Sequence, residues 1–301
     1  MKLGFIGLGK MGSGMVENLL DHGHEVVVHD LDPQAVERMA GRGAEPAASL
    51  TDMAGRLERK RVFWMMVPAG KPADTTLEAL LQVAEHDDIV IDGGNSNFHD
   101  TLRRSARLAS RGVRLLDVGT SGGLEGARNG ACMMVGGCRE VFEELVPLFR
   151  DLCVPGGYGY MGESGSGHFV KMVHNGIEYG MMQAMGEGFD IIENSRFSID
   201  HREVSRVWAN GSVIRGWLMD LVSKAFEKDG KLGYLSGEIA DSGEGRWTVE
   251  AALEENVSIP VIANAVFRRY RSRSQDNFSD KVVAALRNEF GGHGYTSSKS
   301  K

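Results

Sequence analysis

Short apolar runs set between glycine- and proline-rich turns fill the first half of the chain; longer runs with helical spacing fill the second. The runs at Lys2–Ile6, Glu25–His29, Arg61–Val67, Asp88–Asp92 and Arg114–Val118 predict strands. Cys132–Val135 and Gly157–Met161 read as closing strands. Helical segments separate the strands, as in a doubly wound parallel sheet. A Gly/Ser-rich stretch at Met161–Ser166 then leads into another regime, and after Glu193 nothing reads as a strand. Val204–Phe226, with Val207, Trp208, Ile214, Trp217, Leu221, Val222 and Phe226, predicts one or two buried helices. Thr248–Glu255, Ile259–Arg271 and Phe278–Phe290 follow, the last with Val282, Val283, Leu286 and Phe290 on one side. The expected organisation is an α/β doubly wound domain, residues 1–163, followed by an all-α domain, residues 164–301.

The second domain is built on one long helix, Gly165–Glu193. Val170, Val173, Ile177, Met181, Ala184, Gly188 and Ile191 recur on it at the spacing of a buried stripe. Against that stripe stand Lys171, His174, Asn175 and Glu178, within about a third of the helix circumference. One reading is a solvated face with i,i+4 pairing. The other is a chemical face, because Met181, Met182 and Met185 follow it and a helix apolar nearly all round is buried. A Lys and a Glu on such a helix need a cleft or a partner.

The first strand runs into Gly7-Leu8-Gly9-Lys10-Met11-Gly12 and then a helical segment. In that setting the glycines permit a tight turn, close approach to a pyrophosphate and helix–strand packing, while helix amides face the phosphates. This is a Rossmann-type dinucleotide site. Asp30 ends the second strand 18 residues past Gly12, close to the spacing for a carboxylate on the adenosine ribose; it could instead cap the helix begun by Pro33. A carboxylate there accepts from both ribose hydroxyls of NAD and repels the 2′-phosphate of NADP, and Leu31 offers no cation. Val67 and Pro68, at the end of the next strand, and Asn95 after the one beyond complete the candidate cofactor residues. Asn95 and Ser121 lie in glycine-rich loops past carboxyl strand ends, where such sheets bind ligands, although a structural role in the loop fits each equally well.

A cluster of cations, Arg268-Arg269-Tyr-Arg271-Ser-Arg273, stands near the end, followed by Arg287 and His293. Arginine suits phosphate recognition, and a basic helix end also complements the helix dipole. Across the 301 residues the formal net charge is −7, which argues against a nucleic-acid partner. With 42 % hydrophobic and 25 % charged residues the composition is that of a globular protein. Cys132, Cys138 and Cys153 lack zinc or redox spacing and suggest a reducing compartment. No signal-peptide pattern opens the chain and no run approaches a membrane span, so a cytoplasmic protein with no membrane partner is expected.

At Lys171–Tyr179 the pattern resembles the decarboxylating 6-phosphogluconate dehydrogenases, within the β-hydroxyacid dehydrogenases. The matching stretches are Gly7–Gly12, Asp92-Gly-Gly-Asn-Ser96, Gly119–Arg128, His168–Tyr179, Gly245-Arg-Trp-Thr248, Val266–Arg269 and Arg287 to His293, nearly the whole chain. The resemblance implies oxidation of 6-phospho-D-gluconate to D-ribulose 5-phosphate and CO2 with NAD. It makes Lys171 the general base and acid and Glu178 the second acid, with Asn175 beside them. Asn95, Ser121, Gly122, Gly123 and His174 would hold substrate and nicotinamide. Tyr179 and Arg269 match phosphate ligands, and Arg287 and His293 match tail residues that reach a partner subunit's site. A homodimer or homotetramer follows. The chain is shorter than the long NADP-linked enzymes and carries Asp30-Leu31-Asp32 where they have Asn-Arg-Thr, which points to a short, NAD-linked branch. Ser242 stands where the family has a lysine. No His, Asp or Cys grouping has metal-ligand spacing, in keeping with a metal-independent route. A sister dehydrogenase of the 3-hydroxyisobutyrate type would share the Lys171 logic without needing Arg269 and Arg287; a non-catalytic NAD-binding sensor would not need the Lys171/Glu178 pair.

Overall fold

The computed structural model describes residues 1–274 and 276–291. Its contacts divide the chain into two units, Met1–Asn175 and Gly176–Lys301.

The first unit is an eight-stranded sheet: β1 (Lys2–Ile6), β2 (Glu25–His29), β3 (Glu45–Pro46), β4 (Val62–Met65), β5 (Ile89–Asp92), β6 (Arg114–Ser121), β7 (Ala131–Gly137) and β8 (Cys153–Gly162). The spatial order is β3-β2-β1-β4-β5-β6-β7-β8, and every neighbouring pair is parallel except β6 and β7. The order around β1 is that of a Rossmann-type sheet. The expected strands are present. The two-residue edge strand β3 is an addition, too short to leave a pattern in the sequence. Helices α1 (Lys10–Asp21), α2 (Pro33–Ala40), α3 (Leu50–Gly55), α4 (Lys71–Leu80), α5 (Phe98–Ala109), α6 (Gly123–Asn129), α7 (Arg139–Glu144) and α8 (Val146–Leu152) connect the strands. Two apolar clusters hold them, one around Phe5, Trp64 and Phe149 and the other around Phe63, Met65 and Leu80.

The long helix is α9 (Ser166–Glu193), and it runs through the division between the units. Its first turns go with the sheet because three glycines remove the side chains that would hold it away. A Cβ at Gly119 would overlap that of Lys171, one at Gly136 would lie 2.6 Å from the Gly167 nitrogen, and one at Gly167 would overlap the Asp117 carbonyl. The Gly/Ser-rich loop near residue 163 thus marks the end of the sheet, while the contacts carry on to Asn175.

In the second unit α10 (His201–Ala209), α11 (Trp217–Lys228), α12 (Glu244–Glu254), α13 (Pro260–Ser272) and α14 (Phe278–Gly291) follow α9, and no strand occurs among its described residues. Gly176 and Gly180 let Thr248 and Val261 close on α9. One core joins Tyr179, Ala265 and Val266; another joins Phe189, Met219 and Phe226.

The apolar stripe expected to bury α9 is not the buried one. Ile177, Met181 and Ile191 are 52 %, 48 % and 72 % exposed, whereas His168, Lys171, Met172, Asn175 and Tyr179 are buried. Period alone names a face of a helix, and the neighbours decide which face they cover; here the sheet and α13 take the polar side. The same correction applies to Val207, Ile214, Trp217 and Leu221, all exposed; Val282, Val283 and Leu286 on one side of α14 are exposed as well.

Candidate active site

The β1–α1 turn is shaped by its glycines. Gly7 has φ +97°, and a side chain there or at Gly12 would run into backbone, at Met66 and Gly7 respectively. A Cβ at Gly9 would meet nothing within 4 Å. The protein's own packing therefore leaves Gly9 open on the side a ligand would approach. Gly9 is also the N-cap of α1, with no side-chain cap and no acid in the first turn, so the amides at Lys10, Met11 and Gly12 suit an anion. Leu8 is buried, and its amide donates to Asp30 Oδ2 at 2.5 Å. Asp30 Oδ1 accepts from the Asp32 amide at 2.8 Å. The cap of α2 is Asp32, which accepts from Gln34, so Asp30 is left at the glycine loop. Gly9, Asp30, Leu31, Val67 and Pro68 line one cleft of about 850 Å³. An uncapped helix start, an open glycine and a carboxylate in that cleft fit a dinucleotide with its pyrophosphate at α1 and its ribose at Asp30.

Beyond β5 the loop Gly93–Ser96 is clamped from below. The Asp92 carboxylate accepts from Gly94 N (3.1 Å), Ser96 Oγ (2.9 Å) and Arg104 (3.2 Å). Arg104 also reaches Ser96 Oγ, Asp74 and the Gly70 carbonyl. Asn95, held at φ +51°, exchanges two hydrogen bonds with the Thr120 backbone through its side-chain amide (3.0 and 2.9 Å). An amide has two donor hydrogens and two acceptor sites, so Asn95 keeps one of each for a ligand. Ser121 ends β6, and the turn beside it is made by Gly122 and Gly123 at φ +114° and +59°.

Asp117, fully buried on β6, accepts from the amides of Gly165 (2.7 Å) and His168 (2.9 Å) and so caps the start of α9. The His168 ring bonds Thr101 and the Asp92 carbonyl. These contacts fix the turn of α9 that carries Lys171. Lys171, 5 % exposed, donates to Asn175 Oδ1 at 2.7 Å, and His174 Nδ1 lies 3.0 Å from the same oxygen. A buried amine on a neutral amide acceptor can hold or give up a proton without breaking an ion pair with that acceptor.

Within the second unit, Arg269 lies with its guanidinium 3.6 Å from the centroid of the Tyr179 ring; both are buried. It donates to the Ala240 carbonyl at 2.8 Å and approaches Met182 Sδ at 3.6 Å, with no carboxylate in reach among the described residues. The Tyr179 hydroxyl is 3.4 Å from Ser242 Oγ, whose own hydroxyl donates to buried Glu244. Glu178 is half-buried on α9, seven residues past Lys171. Arg287 is exposed on α14, and His293 lies outside the described residues.

The sequence alone shows no role for Asp92, Arg104, Asp117, His168 or Glu244, although Asp92 and His168 stand in the matching stretches. A signal existed for one of them: Thr101, Arg104 and Leu108 share the buried face of α5, which puts a charge in an apolar stripe.

Fold and site define a dinucleotide-binding oxidoreductase of the hydroxyacid dehydrogenase type. The NAD binding domain of 6-phosphogluconate dehydrogenase matches residues 2–175, and the 6-phosphogluconate dehydrogenase C-terminal domain matches residues 167–301. The chain belongs to the 6-phosphogluconate dehydrogenase family. It is 50 % identical to Bacillus subtilis YqeC, a protein named only provisionally as that enzyme, over 97 % of this chain and 98 % of that protein. It is 46 % identical to the NAD(+)-dependent, decarboxylating 6-phosphogluconate dehydrogenase of Haloferax volcanii, over 97 % and 98 %. Among solved structures, Plasmodium falciparum 6-phosphogluconate dehydrogenase, described in its apo form and with NADP+ or 6-phosphogluconate, superposes with a TM-score of 0.84 at 25 % identity. That match covers 100 % of this chain and 67 % of the other.

Proposed function

We propose that the protein oxidises 6-phospho-D-gluconate to D-ribulose 5-phosphate and CO2 with NAD, independently of metal. The carrying observation is the buried Arg269 with no carboxylate partner among the described residues, stacked on Tyr179: a cation built to receive an anionic end of a substrate.

A nicotinamide bound in the cleft would supply the acceptor for the hydride from C3. Lys171, aligned by Asn175, takes the C3 hydroxyl proton. As an ammonium it then polarises the keto oxygen while the C2–carboxylate bond breaks, the electron pair passing into an enediol. Glu178, two helical turns further along α9, supplies the proton to the carbon that lost the carboxylate, C2 of the substrate and C1 of the product. Asn95, Ser121, Gly122, Gly123 and His174 hold the substrate and nicotinamide ends, and Gly7 to Gly12, Asp30, Val67 and Pro68 hold the rest of the cofactor. The preference for NAD rests on Asp30, with Leu31 96 % exposed and uncharged beside it.

The active unit is a homodimer or homotetramer in which Arg287 and His293 complete a neighbour's site. The exposed Ile177, Met181, Val261, Phe267 and Leu286 support an apolar interface. Three free cysteines fit a cytoplasmic setting. One assay tests the central reading: purified protein with 6-phosphogluconate and NAD or NADP, following reduced cofactor and CO2. Reduction without stoichiometric CO2, or activity on small unphosphorylated hydroxy acids alone, overturns it.

A further inference from the structure

His168 ties the helix that carries Lys171 to the strand that leads into the Asn95 loop, all within the first unit. Its imidazole is 1 % exposed and meets a partner at each nitrogen. Nε2 is 3.1 Å from the Asp92 carbonyl, and Nδ1 is 2.7 Å from the Thr101 hydroxyl. A carbonyl only accepts, so Nε2 carries a hydrogen and donates it. Thr101 suits either state of the other nitrogen. Its hydroxyl donates to a bare Nδ1, or accepts from a protonated one and turns its own hydrogen to the Asn97 carbonyl at 3.2 Å. The bond to Asp92 is therefore made whichever state Nδ1 is in.

That bond holds the peptide between Asp92 and Gly93. The carbonyl accepts from His168 on α9, and the N–H donates to the Met65 carbonyl on β4 at 2.9 Å. The entry to the loop of Asn95 is thus pinned from both sides. Beyond it the Asp92 carboxylate takes Gly94 and Ser96, and Asn95 is bonded to the Thr120 backbone. On the helix, the His168 amide donates to Asp117 at 2.9 Å. Lys171 follows about one turn later, its Cβ where a side chain at Gly119 would stand. Asp117 fixes that turn to β6, and the imidazole fixes it to the end of β5. A rigid ring, buried and bonded at both nitrogens, spans the gap between the Lys171 turn and the Asn95 loop.

We infer that His168 is a positioning residue for hydride transfer: through the Asp92 carbonyl it sets the turn of Lys171 against the loop of Asn95. It acts through these two residues and touches neither ligand. The base on a hydroxyl and the acceptor of the hydride from the same carbon must be aligned together, and a misplacement near 1 Å costs up to about a hundredfold in rate. This rests on the reading above that Lys171 is the base and that Asn95 takes the nicotinamide and substrate.

The test compares His168→Gln with His168→Leu in the full-length protein. A glutamine amide reaches as far as Nε2 and can donate to the Asp92 carbonyl; a leucine fills the space and cannot. Without any ligand, nitrogen NMR of the wild-type imidazoles should show His168 Nε2 protonated. His168→Leu should lower kcat for 6-phosphogluconate by about tenfold or more and leave the dissociation constant of NAD within about threefold. Its deuterium isotope effect on kcat, with substrate labelled at C3, should exceed that of wild type, because hydride transfer becomes slower relative to the other steps. His168→Gln should return kcat to within about threefold of wild type. A mere loss of folded protein would lower the rate and leave the isotope effect unchanged. If the leucine variant folds poorly, His168→Asn, whose amide reaches Thr101 and stops short of Asp92, carries the same expectation. An unprotonated Nε2, a wild-type kcat in His168→Leu, or a glutamine variant no better than the leucine one overturns the inference. The acid that is oxidised separates it from the reading it rests on. If wild type oxidises only a small unphosphorylated hydroxy acid, the substrate reading fails, and the same comparison with that acid decides His168. Turnover of 6-phosphogluconate with no difference among the variants overturns the role of His168 alone; no oxidation of any hydroxy acid overturns both.

Discussion

The guanidinium of Arg269 lies face-on to Tyr179, 3.6 Å from the ring centroid, in the interior of the helical unit. The ring screens one face of the cation from water and the Ala240 carbonyl fixes one edge, so the remaining donors are aimed rather than free to search. Arg269→Lys keeps the charge and loses the planar fork. It should raise KM for 6-phosphogluconate by roughly thirtyfold, about 2 kcal/mol, with a smaller change in kcat. Steady-state kinetics of the variant check this, and an unchanged KM would falsify phosphate binding at Arg269.

Lys171→Met should abolish oxidation while NAD binding, followed by quenching of protein fluorescence, stays within about threefold of wild type. Asn175→Leu removes the amide that holds the amine and should lower kcat by at least about tenfold. Wild-type kcat in Lys171→Met would move the base elsewhere.

Gly119→Ala puts a methyl where the Lys171 side chain begins. The first turns of α9 must shift, and a displacement near 1 Å at a reacting group costs up to about a hundredfold in rate. The expected result is a fall in kcat with NAD affinity retained, because the dinucleotide cleft is built on β1, β2 and β4. Parallel loss of both would show a general disruption of the sheet instead.

Asp30→Ser should reduce kcat/KM for NAD by about tenfold or more and narrow the gap to NADP, since the hydroxyl neither accepts twice from the ribose nor repels a 2′-phosphate. A preference of the wild-type protein for NADP would overturn this reading of Asp30.

His24 supplies a pH prediction for stability. Burial holds its pKa below the ordinary 6.5, outweighing the hydrogen bond to Asp151 that pulls the other way. The unfolded chain then binds the proton more readily than the folded one. The stability cost is absent above the unfolded value and grows as pH falls below about 6.5. Thermal unfolding between about pH 7.5 and 5.5 should show Tm falling, and His24→Gln should flatten that fall. An identical pH dependence in the variant would place the titration elsewhere.

Mixed oligomers test the tail. Lys171→Met has an intact tail and Arg287→Ala an intact base, so subunit exchange between the two should restore activity to about a quarter of wild type if the tail serves a neighbour's site in a dimer. No recovery despite demonstrated exchange would count against that arrangement.

The dinucleotide half of this protein was legible in the chain. Gly7, Gly9 and Gly12 mark a turn by backbone chemistry that needs no distant neighbour, and short apolar runs reach only from one side of a sheet to the other. Asp30 followed by spacing. Tertiary structure decided the rest. It turned the polar side of α9 inward and left Ile177 and Ile191 exposed, because the glycines at 119, 136 and 167 let the sheet close on that side. It brought Asp92 to Arg104 and Asp117 to the start of α9, pairings made across 12 and 48 residues of chain. It also joined Tyr179 to Ser242 and to Arg269, which lie 63 and 90 residues further along the chain. Periodicity reports the face a residue shares with its helical neighbours. Which buried charges meet depends on how separate elements pack, and that information is spread over all of them.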